Sequence, residues 1–404
     1  MELWRRNLYI LTGSVFLIFG AMTSVMPFLP LHIEQNMGLK SQDEITMWAG
    51  FIFAANFLSA FIFSPIWGKL ADKYGRKMMV IRSGFGMAIV TSLMGLATNV
   101  YQLFFLRLLN GVVAGFNPAA IALVASNTPK EKIGYALGIL QSGAVAGSII
   151  GPLLGGFFAD YVGFRKIFLY TGIFILIAGF VVLFLVKEDF KPDTSSEKRS
   201  MAGDFSVIAQ TKPLMALFSV AFLIQFAALN ITPVLPLFIQ DLNPPLGMVS
   251  FFSGLVAATT GFANMLASPK LGKLGDKIGH EKILFYSIMG AALFFLPQGL
   301  SPNVWVLMGW RFMLGLTLGG LLPSVNSLIR LFAPEGMVSR TYGYSNSAIF
   351  LGNMMGPISG GFLAGIVGLH GVFIFTSLLL LVNGLWVRAS VNKQIAALRS
   401  QGVI

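Results

Sequence analysis

The sequence contains no cysteine among its 404 residues, and its three histidines, His32, His280 and His370, are scattered. Disulfides, thiolate catalysis and cysteine-ligated metals are therefore excluded, and the histidine spacing is not that of a zinc site. Charge is also scarce, since charged residues make up 11% of the chain, against about 25% in soluble domains. A soluble protein this poor in charge could not cover its surface with groups that water solvates. The composition instead fits a protein whose solvent is the bilayer.

The chain also lacks a nucleotide-binding loop of the Walker type, which argues against direct use of ATP. Its net charge of +12 would suit a protein that binds nucleic acid. The basic residues, however, lie in short breaks between apolar runs and form no basic domain, which argues against such binding. The absence of a recognisable nucleophile, acid–base pair or metal cluster disfavours a membrane enzyme, and the absence of an extra soluble domain disfavours a receptor. We expect no enzymatic activity, no cofactor, no metal and no nucleic acid partner.

Apolar runs of about 20 residues, the length needed to cross a membrane, recur along the whole chain. We predict an all-α membrane protein, and we expect the first run to stay as an uncleaved span because no small-residue cleavage site follows it. The polar segment 187–213 predicts a cytoplasmic linker between two six-helix bundles, residues 1–186 and 214–404. The twelve predicted spans lie near 8–36, 47–68, 78–97, 101–125, 134–159, 165–186, 214–240, 248–270, 282–300, 303–329, 341–364 and 370–389.

The distribution of basic residues predicts the topology. If both termini are cytoplasmic, nearly all of the 28 lysines and arginines lie on the cytoplasmic side. The outer side then holds only Lys40, Arg165 and Lys166, while Arg107 and Arg311 lie inside spans. The opposite orientation would invert this bias. We therefore predict cytoplasmic N- and C-termini. We also expect the membrane to be a bacterial cytoplasmic membrane.

Four sequence blocks of the first half return in the second half, each about half the chain length later. GKLADKYGRK, which begins at Gly68, returns as GKLGDKIGHEK from Gly272. RLLNGVVAG returns as RFMLGLTLGG, GSIIGPLLGG as GNMMGPISGG, and MPFLPLHIEQ as TPVLPLFIQD. Repeated blocks at a nearly constant offset indicate two homologous and pseudo-symmetric bundles, which is a common design among secondary transporters.

These blocks resemble the signature motifs of the major facilitator superfamily over essentially the full chain. GKLADKYGRK is similar to the signature between spans two and three, and RLLNGVVAG to the span-four signature. GAVAGSIIGPLLGGFFAD resembles the span-five signature of exporters that exchange drugs for protons. The resemblance implies a monomeric, proton-coupled exporter of amphiphilic or aromatic small molecules that works by alternating access. A proton-coupled transporter of a defined metabolite, such as a sugar or an amino acid, is the alternative.

The block GKLADKYGRK, which we call the cytoplasmic phrase, predicts a gate at the inner end of span two. Gly68 would allow close helix packing and Gly75 a tight turn, while Asp72 is a carboxylate suited to a helix N-terminus or to Arg76. The resemblance implies that Asp72 meets the N-terminus of span eleven and latches the two halves together. The alternative is that these residues only set the topology and the turn. The residues of the repeat that would form a matching latch against span five are Gly272, Asp276 and Gly279.

Small residues recur every fourth position in span five and predict a smooth stripe that packs closely on span eight. A proline in the same span predicts a bend. We expect this contact to open and close during transport, and ordinary helix packing is the alternative. The residues of this antiporter motif are Gly143, Gly147, Gly151, Pro152, Gly155 and Gly156. The matching stripe of span eleven, Gly352, Gly356 and Gly360, would face span two.

Arg107 lies inside span four, where a cation costs roughly 3 kcal/mol on insertion scales and normally faces the bundle interior beside a partner. Arginine does not itself lose its proton, but it sets the pKa of a neighbouring carboxylate. No carboxylate lies deep in a span. Glu34, near the outer end of span one, is the acidic residue whose depth in the membrane best matches that of Arg107. Glu34, Arg107 and Asp72 are therefore the candidates for proton coupling, with an ordinary headgroup-level position as the alternative for Glu34. Arg311, the repeat of Arg107, is expected to be structural.

Amide side chains at membrane depth are candidates for lining a substrate cavity, with contacts between helices as the alternative. The 37 phenylalanines and 19 methionines would suit a large, adaptable, apolar pocket. The lack of deep carboxylates favours neutral, zwitterionic or anionic substrates over cationic drugs. The cavity candidates are Met26, Asn56, Asn117, Gln141, Gln225, Asn230, Asn326 and Asn346.

Overall fold

A computed structural model describes residues 2–129, 132–188, 211–334 and 338–400. These residues are almost entirely helical. The helices of the first half of the sequence are α1 (Leu3–Ser24), α2 (Leu29–Asn36), α3 (Gln42–Tyr74), α4 (Arg76–Met94), α5 (Val100–Val113), α6 (Phe116–Asn127), α7 (Ile133–Val162) and α8 (Phe164–Leu185). Those of the second half are α9 (Lys212–Asn230), α10 (Leu235–Asp241), α11 (Val249–Ile278), α12 (His280–Phe295), α13 (Val304–Leu318), α14 (Leu321–Phe332) and α15 (Val338–Ser400).

Within the described residues, eleven helical segments are long and apolar enough to cross a membrane. One of them is a stretch of 51 residues in α15, about 75 Å long at 1.5 Å per residue, whereas the bilayer core is about 30 Å thick. Gly368 breaks this stretch with φ 71° and ψ 171°, so that it contains two spans. The prediction of an all-α membrane protein with twelve spans is therefore confirmed.

Single glycines turn the chain between four pairs of consecutive spans. Gly75 separates α3 from α4, Gly163 separates α7 from α8, Gly279 separates α11 from α12, and Gly368 divides α15. All four have φ between 71° and 101°, a region that is strained for residues with a Cβ atom. The turns after spans two and eight, and those after spans five and eleven, occupy matching positions in the sequence repeat. The backbone conformation of these turns therefore follows the sequence repeat.

Apolar residues spaced three or four apart build the core around α1. Leu8, Leu11, Val15 and Ile18 form one stripe that is at most 1% exposed, as expected for the buried face of a helix. This stripe belongs to a cluster in which α1 packs on α7 and α8, while α4 packs on α8. The outward faces of these helices carry large apolar side chains, which suits contact with lipid rather than water.

A corresponding core surrounds α9. Leu214, Leu217 and Ala221 are fully buried on one face of α9, which packs on α15 beside Val387 and Val391. In the first core, α1 packs on α7, which carries the glycine stripe of span five. In the second core, α9 packs on α15, which carries the glycine stripe of span eleven. The two cores therefore repeat the same packing scheme.

The described residues form two compact units. The first contains 2–188 together with Leu235–Ala258, and the second contains 211–234 and 259–400. The sequence repeat assigns Leu235–Ala258 to the second half, but α10 packs on α2 and the first turns of α11 pack on α7. The linker predicted at 187–213 lies mostly outside the described residues. The division into bundles 1–186 and 214–404 stays a prediction.

Spans four and ten are each interrupted near their middle, whereas the sequence predicted continuous spans at 101–125 and 303–329. In span four, α5 ends at Val113 and α6 begins at Phe116, because Gly115 takes a φ of 121°. In span ten, α13 gives way to α14 at Gly319 and Gly320. Hydropathy did not reveal these breaks because apolar residues continue through them.

We predict that Gly163→Ala lowers the melting temperature of the detergent-solubilised protein by several degrees. No described atom lies within 4 Å of a Cβ at Gly163, so the cost would come from its φ of 84°, at about 1–3 kcal/mol. Gly13→Ala is the matched control, because Gly13 is also free of neighbours but lies within regular helix α1. Differential scanning fluorimetry would measure both variants. Equal melting temperatures for the two would contradict a role for the backbone conformation at Gly163.

Candidate functional site

The antiporter motif on α7 presents small residues to two different helices. One face meets α1, where a Cβ at Gly147 would contact the carbonyl of Phe16 and a Cβ at Gly155 would contact that of Ser24. Only glycine allows such close backbone approach. The prediction that the stripe faces span eight is wrong for the four glycines that recur at every fourth position. These are Gly143, Gly147, Gly151 and Gly155. Residues at this spacing share one helix face, and α1 occupies that face.

The second face of the motif packs on α11, which is span eight. A Cβ at Gly156 would collide with the carbonyl of Ser250, and a Cβ at Gly254 would collide with the carbonyl of Pro152. The two backbones therefore touch directly at these four residues, which we call the α7–α11 seam. Beside it, the rings of Phe157 and Phe251 lie edge to face, with centroids 6.0 Å apart.

Asp160 closes the end of this seam. Its Oδ2 accepts a hydrogen bond of 2.9 Å from the backbone N–H of Phe251, in the first turn of α11. Free amides and the helix dipole favour an anion at that position. Asp160 was not among the predicted site residues, although it is the last residue of the quoted GAVAGSIIGPLLGGFFAD block, because the partner amide is remote in the chain.

The glycine stripe of span eleven packs on span seven. Cβ atoms at Gly352 and Gly356 would contact the carbonyls of Phe222 and Phe226 on α9, and Gly360 lies against Asn230. The prediction that this stripe faces span two is therefore wrong. The arrangement repeats that of α7 on α1, since both stripes hold helices within one core.

Asn230 was predicted as a cavity residue, but it is fully buried in the second unit. Its Nδ2 donates a hydrogen bond of 2.8 Å to Oγ1 of Thr376. Ser24 and Thr171 make a similar contact in the first unit, with their hydroxyl oxygens 3.2 Å apart. Asn230 therefore joins two helices and does not line a cavity.

At the cytoplasmic phrase, Gly75 forms the tight turn and a carboxylate caps the helix that follows. The cap is Glu188, whose two oxygens accept hydrogen bonds of 3.1 and 2.8 Å from the backbone N–H groups of Arg76 and Lys77. No described atom lies within 4 Å of a Cβ at Gly68, so the close packing predicted there is absent from the described residues. The side chain of Asp72 lies outside those that the structure describes.

In the second copy of the phrase, Asp276 binds its own helix hairpin. Its Oδ1 lies 3.0 Å from Nε2 of His280, across the turn at Gly279. Gly275 makes room for the His280 ring, whereas Gly272 has only Pro323 near the position of a Cβ. A latch by Asp276 against span five stays a prediction.

An arginine and a tryptophan bind the carbonyls at the break in span four. Nε1 of Trp67 donates to the carbonyl of Val112 at 2.6 Å, and Nη2 of Arg82 donates to that of Ala114 at 2.9 Å. The Arg82 guanidinium also lies 3.5 Å from the centre of the Trp67 ring, in cation–π contact. The topology prediction counted Arg82 among the residues on the cytoplasmic side, but it lies within α4 and is half-buried.

The structure does not bring Glu34 and Arg107 into an ion pair within the described residues. Oε2 of Glu34 and Nε of Arg107 are both buried without a hydrogen-bond partner, while the Arg107 guanidinium lies 6.0 Å from the centre of the Phe53 ring. Arg311, the repeat of Arg107, is buried with Nε and Nη2 unpartnered. Unpaired polar atoms in apolar surroundings are costly and are commonly functional.

The remaining cavity candidates differ in their surroundings. Asn56 is buried and Asn117 half-buried, and each has an unpartnered Oδ1. Gln141, Asn326 and Asn346 are exposed. Met26 and Gln225 are half-buried. No cluster of three or more metal-ligating side chains occurs in the described part of the chain.

The family model of the Major Facilitator Superfamily matches residues 11–253 and 217–402. The chain is 39% identical over 380 residues to the multidrug resistance protein MdtG of Proteus mirabilis (strain HI4320), covering 94% of each chain. It is 38% identical over 393 residues to the protein of the same name from Klebsiella pneumoniae (strain 342), covering 97% of this chain and 95% of that protein.

Two solved structures share the fold at low sequence identity. A bacterial homologue of the human lysosomal transporter Spinster, in an inward-facing and occupied conformation, matches with a TM-score of 0.79 at 15% identity, over 97% of this chain and 98% of that one. The nucleoside transporter NupG, in a mutant form, matches with a TM-score of 0.78 at 14% identity, over 96% and 100% of the two chains. The chain therefore belongs to the major facilitator superfamily and is a multi-pass membrane transporter, not an enzyme.

Proposed function

We propose that this transporter is a multidrug exporter that expels amphiphilic or aromatic compounds in exchange for protons. It would act as a monomer in a bacterial cytoplasmic membrane, with both termini in the cytoplasm. The named multidrug resistance relatives, which align over nearly the whole chain, support this function. The observation that carries it is the α7–α11 seam, where the antiporter motif brings two helix backbones into direct contact.

The seam would serve as the outer gate in an alternating-access cycle. Direct backbone contact between Gly156 and Ser250 leaves no space for a water file between the helices, so a closed seam would prevent proton leak. The hydrogen bond from Phe251 to Asp160 would hold the gate shut at its outer end. Opening would break this bond and separate the Phe157 and Phe251 rings.

Proton coupling would use Glu34 and Arg107, with Asp72 as the further candidate. Oε2 of Glu34, which is buried without a hydrogen-bond partner, would carry the proton. Approach of the Arg107 guanidinium in another stage of the cycle would favour the ionised carboxylate and release the proton. Arginine suits this role because it keeps its own charge throughout.

The charges of the spans favour neutral, zwitterionic or anionic substrates. Arg82, Arg107 and Arg311 lie within spans, whereas Asp160 and Asp276 lie near helix ends. The same charge pattern is what favours the second candidate function, proton-coupled transport of one defined metabolite, because an anionic metabolite would satisfy the guanidinium groups equally well.

We predict that Gly156→Val abolishes drug efflux because its side chain would keep the α7–α11 seam from closing. Ser250 is fully buried at the seam, and the chain has no cysteine of its own, so Ser250→Cys gives a clean labelling site. A membrane-impermeant maleimide should label this cysteine slowly in the otherwise native protein and several times faster in the Gly156→Val background. Gly138→Val is the matched control, since a Cβ at Gly138 has no atom of the described residues within 4 Å. Unchanged labelling with Gly156→Val would contradict the gate.

We predict that Glu34→Gln and Arg107→Ala each abolish substrate-driven proton flux. Purified protein in liposomes with a trapped pH-sensitive dye and an imposed pH gradient would be given lipophilic drugs, sugars and amino acids separately. Asp241→Asn is the matched control, because Asp241 is the exposed carboxylate at the end of α10. If only one sugar or amino acid dissipates the gradient, the multidrug function is wrong. If Glu34→Gln transports normally, the coupling carboxylate lies elsewhere.

A further inference from the structure

An apolar groove runs between α4 and α8 in the first unit. It encloses about 610 Å³, and Ile89, Leu96, Leu169 and Ile173 are among its lining residues. These four side chains are 43–73% exposed although they belong to membrane-spanning helices or their ends. Exposed aliphatic side chains at such positions face lipid, because water would make their exposure costly. The groove is therefore open to lipid along its length.

Two adjacent cations stand at one end of this groove. Arg165 and Lys166 both belong to its lining and both are exposed. Within the described residues neither side chain forms an ion pair or a hydrogen bond. They lie in the first turn of α8, which contains no acidic residue. The acid that precedes them most closely, Asp160, binds the amide of Phe251 instead. Among the residues that the structure describes, the two cations thus lack a counter-ion.

The position of these cations is an exception to the charge pattern of the chain. Under the proposed topology, Lys40, Arg165 and Lys166 are the basic residues on the outer side, and two of the three lie together at this groove. Basic residues are depleted from that side of membrane proteins. Arg165 and Lys166 form a basic pair at the mouth of an apolar groove. An anion that also has an apolar part would neutralise the pair and fill the groove.

We propose that this groove is a binding site for one anionic phospholipid. The phosphate would lie between the Arg165 guanidinium and the Lys166 ammonium, both of which bind phosphate oxygens through charge-assisted hydrogen bonds. An acyl chain would lie along Leu96, Leu169 and Ile173. The site goes beyond the proposed export function, and only the assignment to the outer leaflet rests on the proposed topology.

The apolar length of the groove favours a lipid over a free anion. Inorganic phosphate would occupy the cationic end and leave the apolar groove unfilled. A second cavity of about 610 Å³ shares Leu93 and Leu96 with the first and extends to Tyr101 and Phe105. This adjoining apolar surface offers a place for the second acyl chain of a diacyl lipid.

The test is a titration of the purified full chain with palmitoyl-oleoyl phosphatidylglycerol and with the matching phosphatidylcholine, read by native mass spectrometry. We expect phosphatidylglycerol to bind more tightly and the double variant Arg165→Gln/Lys166→Gln to weaken it about thirtyfold, from about 1 kcal/mol for each basic residue at an anionic surface. Lys40→Gln, which removes the third outer cation, should leave binding unchanged. Both altered side chains are exposed and unpaired, so the melting temperature should not change.

A second pair of variants tests the groove without changing charge. Ile173→Trp would fill the groove and should weaken phosphatidylglycerol binding several-fold, whereas Ile177→Trp, one turn along the same lipid-facing side of α8 and outside the groove lining, should not. The proposal is wrong if the two tryptophan variants bind alike, if the double variant binds like the native chain, or if phosphatidylcholine binds equally well. It is also wrong if millimolar inorganic phosphate displaces the lipid, because the site would then recognise only a free anion.

Discussion

A backbone carbonyl or amide within a bilayer has no water to bind, and this requirement governs the whole chain. Continuous helices meet it internally, and at an interruption the backbone groups must be bound either by side chains or by the adjoining turns. At the break in span four, those partners are the indole of Trp67 and the guanidinium of Arg82. The corresponding break in span ten instead keeps its bonds within the backbone, since the amides of Gly319 and Gly320 bind carbonyls of the preceding turn. Two equivalent spans thus satisfy the same requirement by different means.

Close helix contact is the second consequence of the bilayer environment. Without a hydrophobic drive between helices in lipid, association depends on packing, and glycine allows the shortest distances. On α7, one glycine face fixes the helix to α1, and the neighbouring face touches α11 through Gly156. Under the proposed gating role, α7 would stay with α1 while its contact with α11 opens.

Two described carboxylates bind the first turns of helices. Asp160 binds the first turn of α11, and Glu188 binds the first turn of α4. Both interactions use the free amides and the positive end of a helix dipole. The sequence motif attributes this kind of contact to Asp72, but the described structure shows it at two acids outside the motif. The contact predicted for Asp72 stays a prediction, because the structure does not describe that side chain.

The sequence by itself determined the fold class, the number of spans and the repeat of the two halves, because hydropathy, glycine turns and repeated blocks are local signals. It also placed Gly156 and Pro152 in the predicted antiporter motif. Only the tertiary structure decided which helix each glycine face meets, that Asn230 binds Thr376 within the core, and that Asp160, Glu188 and Arg82 find backbone partners. The physical reason is distance along the chain: Asp160 and Phe251, or Glu188 and Arg76, are far apart in sequence. Their pairing follows from how the helices pack, which no local pattern encodes.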